Sequence, residues 1–328
     1  MSCILAIETS CDETGVAVVK DGHEIVAEAL ASQIEIHKAF GGVVPEIASR
    51  QHIQCISRLT QEVIESAGTP IDAIAATNGP GLMGSLLVGV SFAKALAYAR
   101  AVPFIPIHHI EGHIFSPFLE GTPPEFPALA LIVSGGHTEL IDCPVAHEYT
   151  LLGRTRDDAI GESFDKVARL LGLPYPGGPS IEKAAETGDP NAVDLPRGMA
   201  GSKSLDFSYS GLKTAVLYAL QRDPGLNTAD LAASFQAAAV DALLIKVKRA
   251  LQATRAPRLI VAGGVAANRL LRARLEAEIE VPVLVPPIAL CTDNAAMIGA
   301  AAHSRLQRGD LGTLHTSPHP HPALTQSS

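Results

Sequence analysis

A chain of 328 residues with 47% hydrophobic and 18% charged residues is too long for one small core and too apolar for disorder, so two domains of ordinary size are expected. Aromatic residues make up only 4% and Trp is absent, which leaves few platforms for stacking single-stranded nucleic acid. The net charge, 25 − 34 = −9, argues against a general binder of nucleic acid or membrane surfaces. The opening MSCILAIETSCDE has no basic segment before Glu8 and does not read as a secretory signal. The stretch nearest to a membrane span, 82–99, is broken by Lys94 and reads as a buried helix. Five scattered cysteines without a CxxC support neither a disulfide framework nor a Cys-rich zinc site, so a cytoplasmic protein with reduced thiols is expected.

In chain order, residues 4–19 (ILAIETSCDETGVAVV) read as strand, polar turn, strand. Residues 73–97 (AIAATNGPGLMGSLLVGVSFAKALA) read as strand, GPG turn and apolar helix. Residues 128–143 (ALALIVSGGHTELIDC) repeat the hairpin, and 259–279 (LIVAGGVAANRLLRARLEAEI) repeat the strand–turn–helix. This is an internal duplication. Between the repeated units the second half carries about 62 extra residues, from start-to-start distances of 124 and 186. In that insert, 157–173 reads as a helix with Asp157 as N-cap, Pro179 opens the next helix, and further helices lie near 211–221 and 228–254.

The expected fold class is α/β. Two duplicated actin-like domains of the ASKHA superfold would flank an interdomain cleft, with glycine-rich turns and helix N-termini offering N–H groups to phosphates. The expected domains are 1–107, completed by a C-terminal helix near 296–308, and 108–295, with a helical insert over about 144–258. Residues 309–328, rich in Pro, His, Ser and Thr, read as a flexible tail rather than a metal site.

The sharpest chemical motif is HHIEGH at 108–113. On a helix, His109 and His113 share one face and can reach one cation, or they are simply a hydrogen-bonded pair. A zinc-protease reading fails, because Glu111 follows His109 by two positions and lies about 200° round the helix. Asp293, before the last helix, is either its N-cap or the carboxylate of a two-His, one-carboxylate set, and the two roles are compatible. Ser134-Gly135-Gly136 forms the second hairpin's turn, where backbone can approach a ligand. Asn268 either caps its helix or reads a sugar or phosphate. Asp165 shares a polar helix face with Glu162 and Arg169. Asp12 and Glu13 lie in the first hairpin's turn.

Together, ETSCDETGVAVV, GGVVPEIASRQH, NGPGLMGSLLVG, HHIEGH, VSGGHTEL, GESFDKVARLLGLPYPGGP, DFSYSGLKTA, AGGVAANR and CTDNAAMIG closely resemble the TsaD (YgjD, formerly Gcp) family, in order and over nearly the whole chain. The family's members are tRNA adenosine threonylcarbamoyltransferases. The resemblance implies transfer of the threonylcarbamoyl group from threonylcarbamoyl-adenylate to the exocyclic N6 amine of the adenosine 3′ of the anticodon, in tRNAs reading codons that begin with A, with release of AMP. It implies a divalent metal on His109, His113 and Asp293. Fe(II) is favoured, and the ligand set also suits Zn(II) or, with phosphate oxygens, Mg(II).

The resemblance further implies that Ile132, Val133, Ser134, Gly135 and Gly136 line the adenylate, and that Asp165, Gly178, Glu182 and Asn268 contact its nucleoside. At Glu182 the wording IEK is closer to archaeal and eukaryotic members. Asp12 and Glu13 would be cleft acids, either of which can take the amine proton. The implied partners are tRNA, a TsaB-like paralogue and a TsaE-like ATPase, with no membrane and no kinase extension, and helix 82–99 is a candidate surface for the paralogue. Rival readings are a small-molecule phosphotransferase of the same superfold, which leaves the His pair unexplained, and a nucleotide-gated binding module. The span 246–274 holds eight Lys and Arg and no acid, which makes it a candidate strip for the tRNA backbone within an otherwise acidic chain.

Overall fold

A computed structural model describes residues 1–119, 121 and 124–324. The chain divides into two compact units, Met1–Glu125 with Thr292–Ser328, and Phe126–Cys291. The first unit begins with strands β1 (Cys3–Glu8), β2 (Glu13–Lys20) and β3 (Glu24–Ser32), then helices α1 (Ile34–Lys38) and α2 (Pro45–Ala67). It continues through β4 (Ala73–Gly79), α3 (Met83–Arg100), β5 (Phe104–His108) and α4 (His109–Phe115). The second unit holds β6 (Ala128–Val133), β7 (Thr138–Val145), β8 (Glu148–Arg154), α5 (Ile160–Leu170), α6 (Gly177–Ala185), α7 (Ser210–Arg222), α8 (Thr228–Thr254), β9 (Leu259–Ala262), α9 (Arg269–Glu278) and β10 (Val283–Leu284). The chain then returns to the first unit with α10 (Ala295–Arg308).

The duplication is explicit in the sheets, ordered β3-β2-β1-β4-β5 and β8-β7-β6-β9-β10. In each, an antiparallel hairpin is extended by parallel strands, with Ile4 opposite Val19 and Ala73 in one, and Leu129 opposite Asp142 and Leu259 in the other. Every residue of β1 and β6 is buried. The apolar runs Cys3–Ile7 and Ala128–Val133 are what central strands covered on both faces require. In the first unit Leu5, Ile7, Val16 and Val18 pack with Ile56, Leu59 and Val63 of α2 and Val90 of α3. Fully burying each such side chain stabilises by about 1.5–3 kcal/mol.

Several expectations shift. The division at 107/108 moves to 125/126, because β5 runs directly into α4 and α4 packs against α10 within the first unit. A Cβ on Gly112 would meet Ile298 Cδ1 at 2.8 Å, so the two helices are in close contact there. The helical insert begins after β8 rather than at 144, since 148–154 pairs with β7. Asp157 does not cap α5. Its carboxylate accepts the N–H groups of Tyr209 and Ser210 at 2.8 and 3.1 Å and so caps α7, while Ala159 occupies the N-cap of α5. Helix α6 starts at Gly177, two residues before Pro179.

Helix α3 is only half buried: Leu86, Val90 and Ala93 face the core, while Met83, Leu87 and Tyr98 are exposed. The expected flexible tail is tied down through residue 322. Gly312 N–H donates to the Phe104 carbonyl at 2.8 Å, His319 N–H to that of Asn78 at 2.8 Å, and Gly81 N–H to that of Pro320 at 3.1 Å. Lys94 Nζ adds bonds to the Leu314 and Thr316 carbonyls. The tail's backbone, not its unremarkable side chains, makes the attachment. Residues 325–328 lie outside the described residues.

Among the described helices one, α8, is long and apolar enough to cross a membrane, and 72% of its most apolar window is buried inside the protein. It is the core helix of the second unit, against Phe164, Leu212 and Leu271. All five cysteines are free.

Candidate active site

Strand β5 enters α4 without a loop, so His109 is the first helical residue and His113 lies one turn later, their ring centroids 4.7 Å apart. His108 caps the helix, its Nδ1 accepting the Ile110 N–H at 3.2 Å. The alternative left open for Asp293 is resolved by its neighbour. Asn294 is the N-cap of α10, its Oδ1 accepting the Met297 N–H at 2.9 Å, which leaves the Asp293 carboxylate for other partners. Asp293 Oδ1 lies 3.2 Å from His113 Nε2 and 3.5 Å from His109 Nε2. One ligand atom from each of the three residues lies within 4.8 Å of the others.

The environment separates the two imidazoles. Burial opposes a charge on His109, but the Asp293 and Glu8 carboxylates outweigh it and hold its pKa well above the ordinary value. Burial, only partly offset by the Asp293 hydrogen bond, lowers the pKa of His113. Burial alone would raise Asp293 and Glu8, yet the adjoining imidazoles hold both below the usual carboxylate range, Asp293 strongly so. Such a buried cluster of charges suits a cation. The donor set itself fits a divalent metal here: two imidazoles and one carboxylate, which leave coordination positions open for a substrate oxygen. Glu111 is buried on the other side of the helix and pairs with Arg305 Nη2 at 2.8 Å, so no protease-type acid faces the histidines.

Asp12 and Glu13 lie in the same unit, at the β1–β2 turn. His52, a residue the motif reading passed over, braces that turn: its Nε2–H donates to the Cys11 carbonyl at 2.9 Å and its Nδ1 accepts the Thr14 hydroxyl at 2.7 Å. Burial, with Asp12 and Asp293 adding negative potential, pushes the Glu13 pKa up to about 9.

The remaining candidates belong to the second unit, where hydrogen bonds link them into one neighbourhood. Ile132 and Val133 end β6, and Ser134 to Gly136 form the turn, with Ser134 Oγ accepting the His137 N–H. A Cβ on Gly135 or Gly136 would meet nothing within 4 Å, so the turn's outer face is open to a ligand. Gly136 also borders a cavity of about 310 Å³ that includes Thr138, Glu139, Arg154 and Arg156. On its inner side Gly263, at φ +96°, presses against the Val133 carbonyl, where a Cβ would come within 2.4 Å. The Ser134 carbonyl accepts the Gly161 N–H at the start of α5. Asp165 Oδ1 accepts the Gly177 N–H at 2.7 Å, tying α5 to the N-terminus of α6 beside the open Gly178. Burial raises its pKa against that bond. Glu182 accepts the Arg269 N–H at 2.6 Å. Asn268 caps α9 through Leu271 N–H and donates to Gln236 Oε1 at 2.9 Å.

Most of the basic strip is partnered within the chain, although Lys248, Arg255 and Arg269 remain exposed. Lys246, Arg249 and Arg272 donate to backbone carbonyls of Ser204, Ser202 and Ala266, among others. Lys248 and Arg274 pair with Glu278, and Arg269 pairs with Glu186. The acids come from elsewhere in the chain, so a window without acids is not a surface without acids.

A family profile described as TsaD, tRNA N6-adenosine threonylcarbamoyltransferase, matches residues 24–300. The chain belongs to the TsaD family. Relatives bearing the same name include one from Bacillus cereus, 51% identical over 97% of this chain and 95% of the relative, and one from Moorella thermoacetica, 51% identical over 95% and 94%. As a member of the TsaD family the chain is an enzyme, a transferase of tRNA modification. Similar solved structures include full-length HypF in its phosphate- and nucleotide-bound form (TM-score 0.64, 14% identity, 93% of this chain and 56% of that one). Component A of the (R)-2-hydroxyglutaryl-CoA dehydratase of Acidaminococcus fermentans is another (TM-score 0.57, 15% identity, 94% and 100%). At such identity they bear on the fold alone, which is the duplicated ASKHA fold.

Proposed function

We propose that this chain moves the threonylcarbamoyl group from threonylcarbamoyl-adenylate to the N6 amine of the adenosine 3′ of the anticodon, in tRNAs reading codons that begin with A, releasing AMP. What carries the reading is the buried His109–His113–Asp293 cluster in a chain of this family. A carbamoyl–phosphate anhydride is already activated, so the residues need only position it and stabilise charge, and no nucleophilic Ser or Cys is required. The turn from Ile132 to Gly136 holds the adenylate by backbone and Ser134, and Asp165, Gly178, Glu182 and Asn268 hold the nucleoside. His109, His113 and Asp293 hold the divalent cation, Fe(II) in the favoured case, which supplies Lewis-acid stabilisation of charge on the leaving phosphate.

The amine nitrogen bonds to the carbamoyl carbon as the carbon–oxygen bond to phosphate breaks, and the electron pair leaves with AMP. One amine proton must go to a base, and Asp12 or Glu13 at the β1–β2 turn can take it. The exposed apolar residues Met83 and Leu87 of α3 and Ile53 of α2 offer a docking face for a TsaB-like paralogue, with a TsaE-like ATPase joining the assembly in the cytoplasm.

The deciding experiment supplies the purified chain with unmodified tRNA, threonine, bicarbonate, ATP, an adenylate-forming enzyme and the two partners. Threonylcarbamoyladenosine in the tRNA and stoichiometric AMP are expected. Consumption of ATP on a small metabolite, with no modified nucleoside, would overturn the reading.

A further inference from the structure

We propose that Glu8 is a positioning residue for His109: it fixes the imidazole with Nδ1–H toward its own carboxylate and Nε2 toward Asp293, and so sets how tightly the site holds a divalent cation. The inference rests on the metal reading above. Glu8 ends β1, and its side chain is 1% exposed. Its two oxygens have separate duties. Oε1 accepts the Ser10 N–H at 2.5 Å. Oε2 accepts the Thr77 hydroxyl and lies 3.2 Å from His109 Nδ1. Ser10 Oγ flanks the same nitrogen at 3.3 Å. One imidazole of the cluster is therefore braced from behind, whereas His113 Nδ1 has no hydrogen-bond partner among the described residues. A carboxylate behind a ligating imidazole fixes its tautomer and raises its basicity.

The arrangement also dictates what the Glu8→Gln substitution would do. The Ser10 N–H can only donate, so the new side-chain amide must keep its oxygen there. Its NH2 then takes the place of Oε2 and faces His109 Nδ1. Nδ1 then either accepts from it, with the ring proton moved to Nε2, the atom a cation needs, or keeps its proton for Ser10 Oγ at 3.3 Å; in both cases the carboxylate behind the ring is lost.

The test uses the full chain and Co(II) alone, read by competition with a chromophoric chelator and by the visible spectrum of the bound ion. Glu8→Gln should weaken Co(II) binding about 10–100-fold and change the spectrum, while far-UV circular dichroism stays that of the wild type. In a His109→Ala background the same substitution should have little further effect, because Glu8 acts through His109. A folded Glu8→Gln protein that binds Co(II) within about twofold of wild type would overturn the proposal, as would an equal loss in both backgrounds. If Glu8→Gln does not fold, Thr77→Val decides: a weakening of about threefold or more supports the assignment and no change refutes it. A wild-type chain that binds no Co(II) would overturn the metal reading and this inference together. Binding that is indifferent to Glu8 overturns only the latter.

Discussion

Replacing Asn294 by Ala tests whether the α10 cap is what frees and aims Asp293. The bonds lost include Oδ1 from Met297 N–H at 2.9 Å and Nδ2 to the Thr292 carbonyl at 2.8 Å. Loss of an N-cap costs about 0.5–2 kcal/mol, and loss of the second bond, in a residue only 6% exposed, costs roughly another 1 kcal/mol. A total of about 2 kcal/mol corresponds to a fall in Tm of roughly 4–8 °C for a domain of this size class. Calorimetry and urea unfolding with EDTA present measure that loss without any contribution from metal. Asn294→Ser keeps an acceptor for the helix N–H but loses the Nδ2 amide that reaches the Thr292 carbonyl, so it should fall between the two. With divalent metal added, Asn294→Ala should gain less stability than wild type, because Asp293, the carboxylate of the proposed metal site, directly precedes the slackened cap. An Asn294→Ala protein that unfolds within about 0.5 kcal/mol of wild type, or a serine variant no better than alanine, would refute the account.

Glu13 makes the metal-free protein pH-sensitive. Its pKa rises from the ordinary 4.5 to about 9 on folding, so between those values the unfolded chain ionises there and the folded chain does not. Stability contributed by the protonated acid is intact below pH 4.5 and is lost as pH rises through the window, by up to about 1.4 kcal/mol per unit. The Tm advantage of Glu13→Gln over wild type should therefore grow from pH 5 to pH 8, and a flat difference in EDTA would contradict the assignment. Arg272→Glu should destabilise the second unit by about 3 kcal/mol or more in urea unfolding, because the guanidinium bonds to the Ala266 and Pro286 carbonyls and to Cys291 Sγ. Wild-type stability with selective loss of tRNA binding would restore the exposed-strip idea. Gly79→Ala should dislodge the C-terminal tail, since a Cβ there would lie 1.9 Å from the His319 carbonyl oxygen. Faster proteolytic clipping after residue 309 is expected, and clipping at the wild-type rate would show that the tail does not need that contact.

Much of this was legible in the residues because the relevant rules are local. The apolar runs Cys3–Ile7 of β1 and Ala128–Val133 of β6, the glycine turns after β4 and β9, and helical spacing between His109 and His113 each carry a signature within a few positions. The edge strand β3 was hidden by its acids, since Glu24 and Glu28 sit on a half-exposed strand. Helix α2 had its signals in place, with Pro45 at its first turn, Gly68 beyond its end and Ile56, Leu59 and Val63 on one face. Those signals were overlooked, not missing. Glu8 was different. Only the pairing of β1 with β4 and the path of β5 into α4 bring Thr77 and His109 to it, across 69 and 101 positions of sequence. The acidic partners of the basic strip were hidden for the same reason, because Asp241, Glu182 and Glu186 reach it through tertiary contacts no window contains.

The first unit is written in two pieces, and the cut falls between the residues of the proposed metal site. His113 and Asp293 are 180 positions apart, with the whole second unit translated in the interval. At about 5–20 residues per second, the ribosome takes roughly 9–36 s to supply the carboxylate after the histidines. During that time β1, β2 and β4 lack the α10 helix that covers one of their faces, whereas the second unit emerges as a continuous segment. A chain stalled or degraded before α10 holds two histidines and no third donor, so a bound metal would certify that synthesis had run to the last helix.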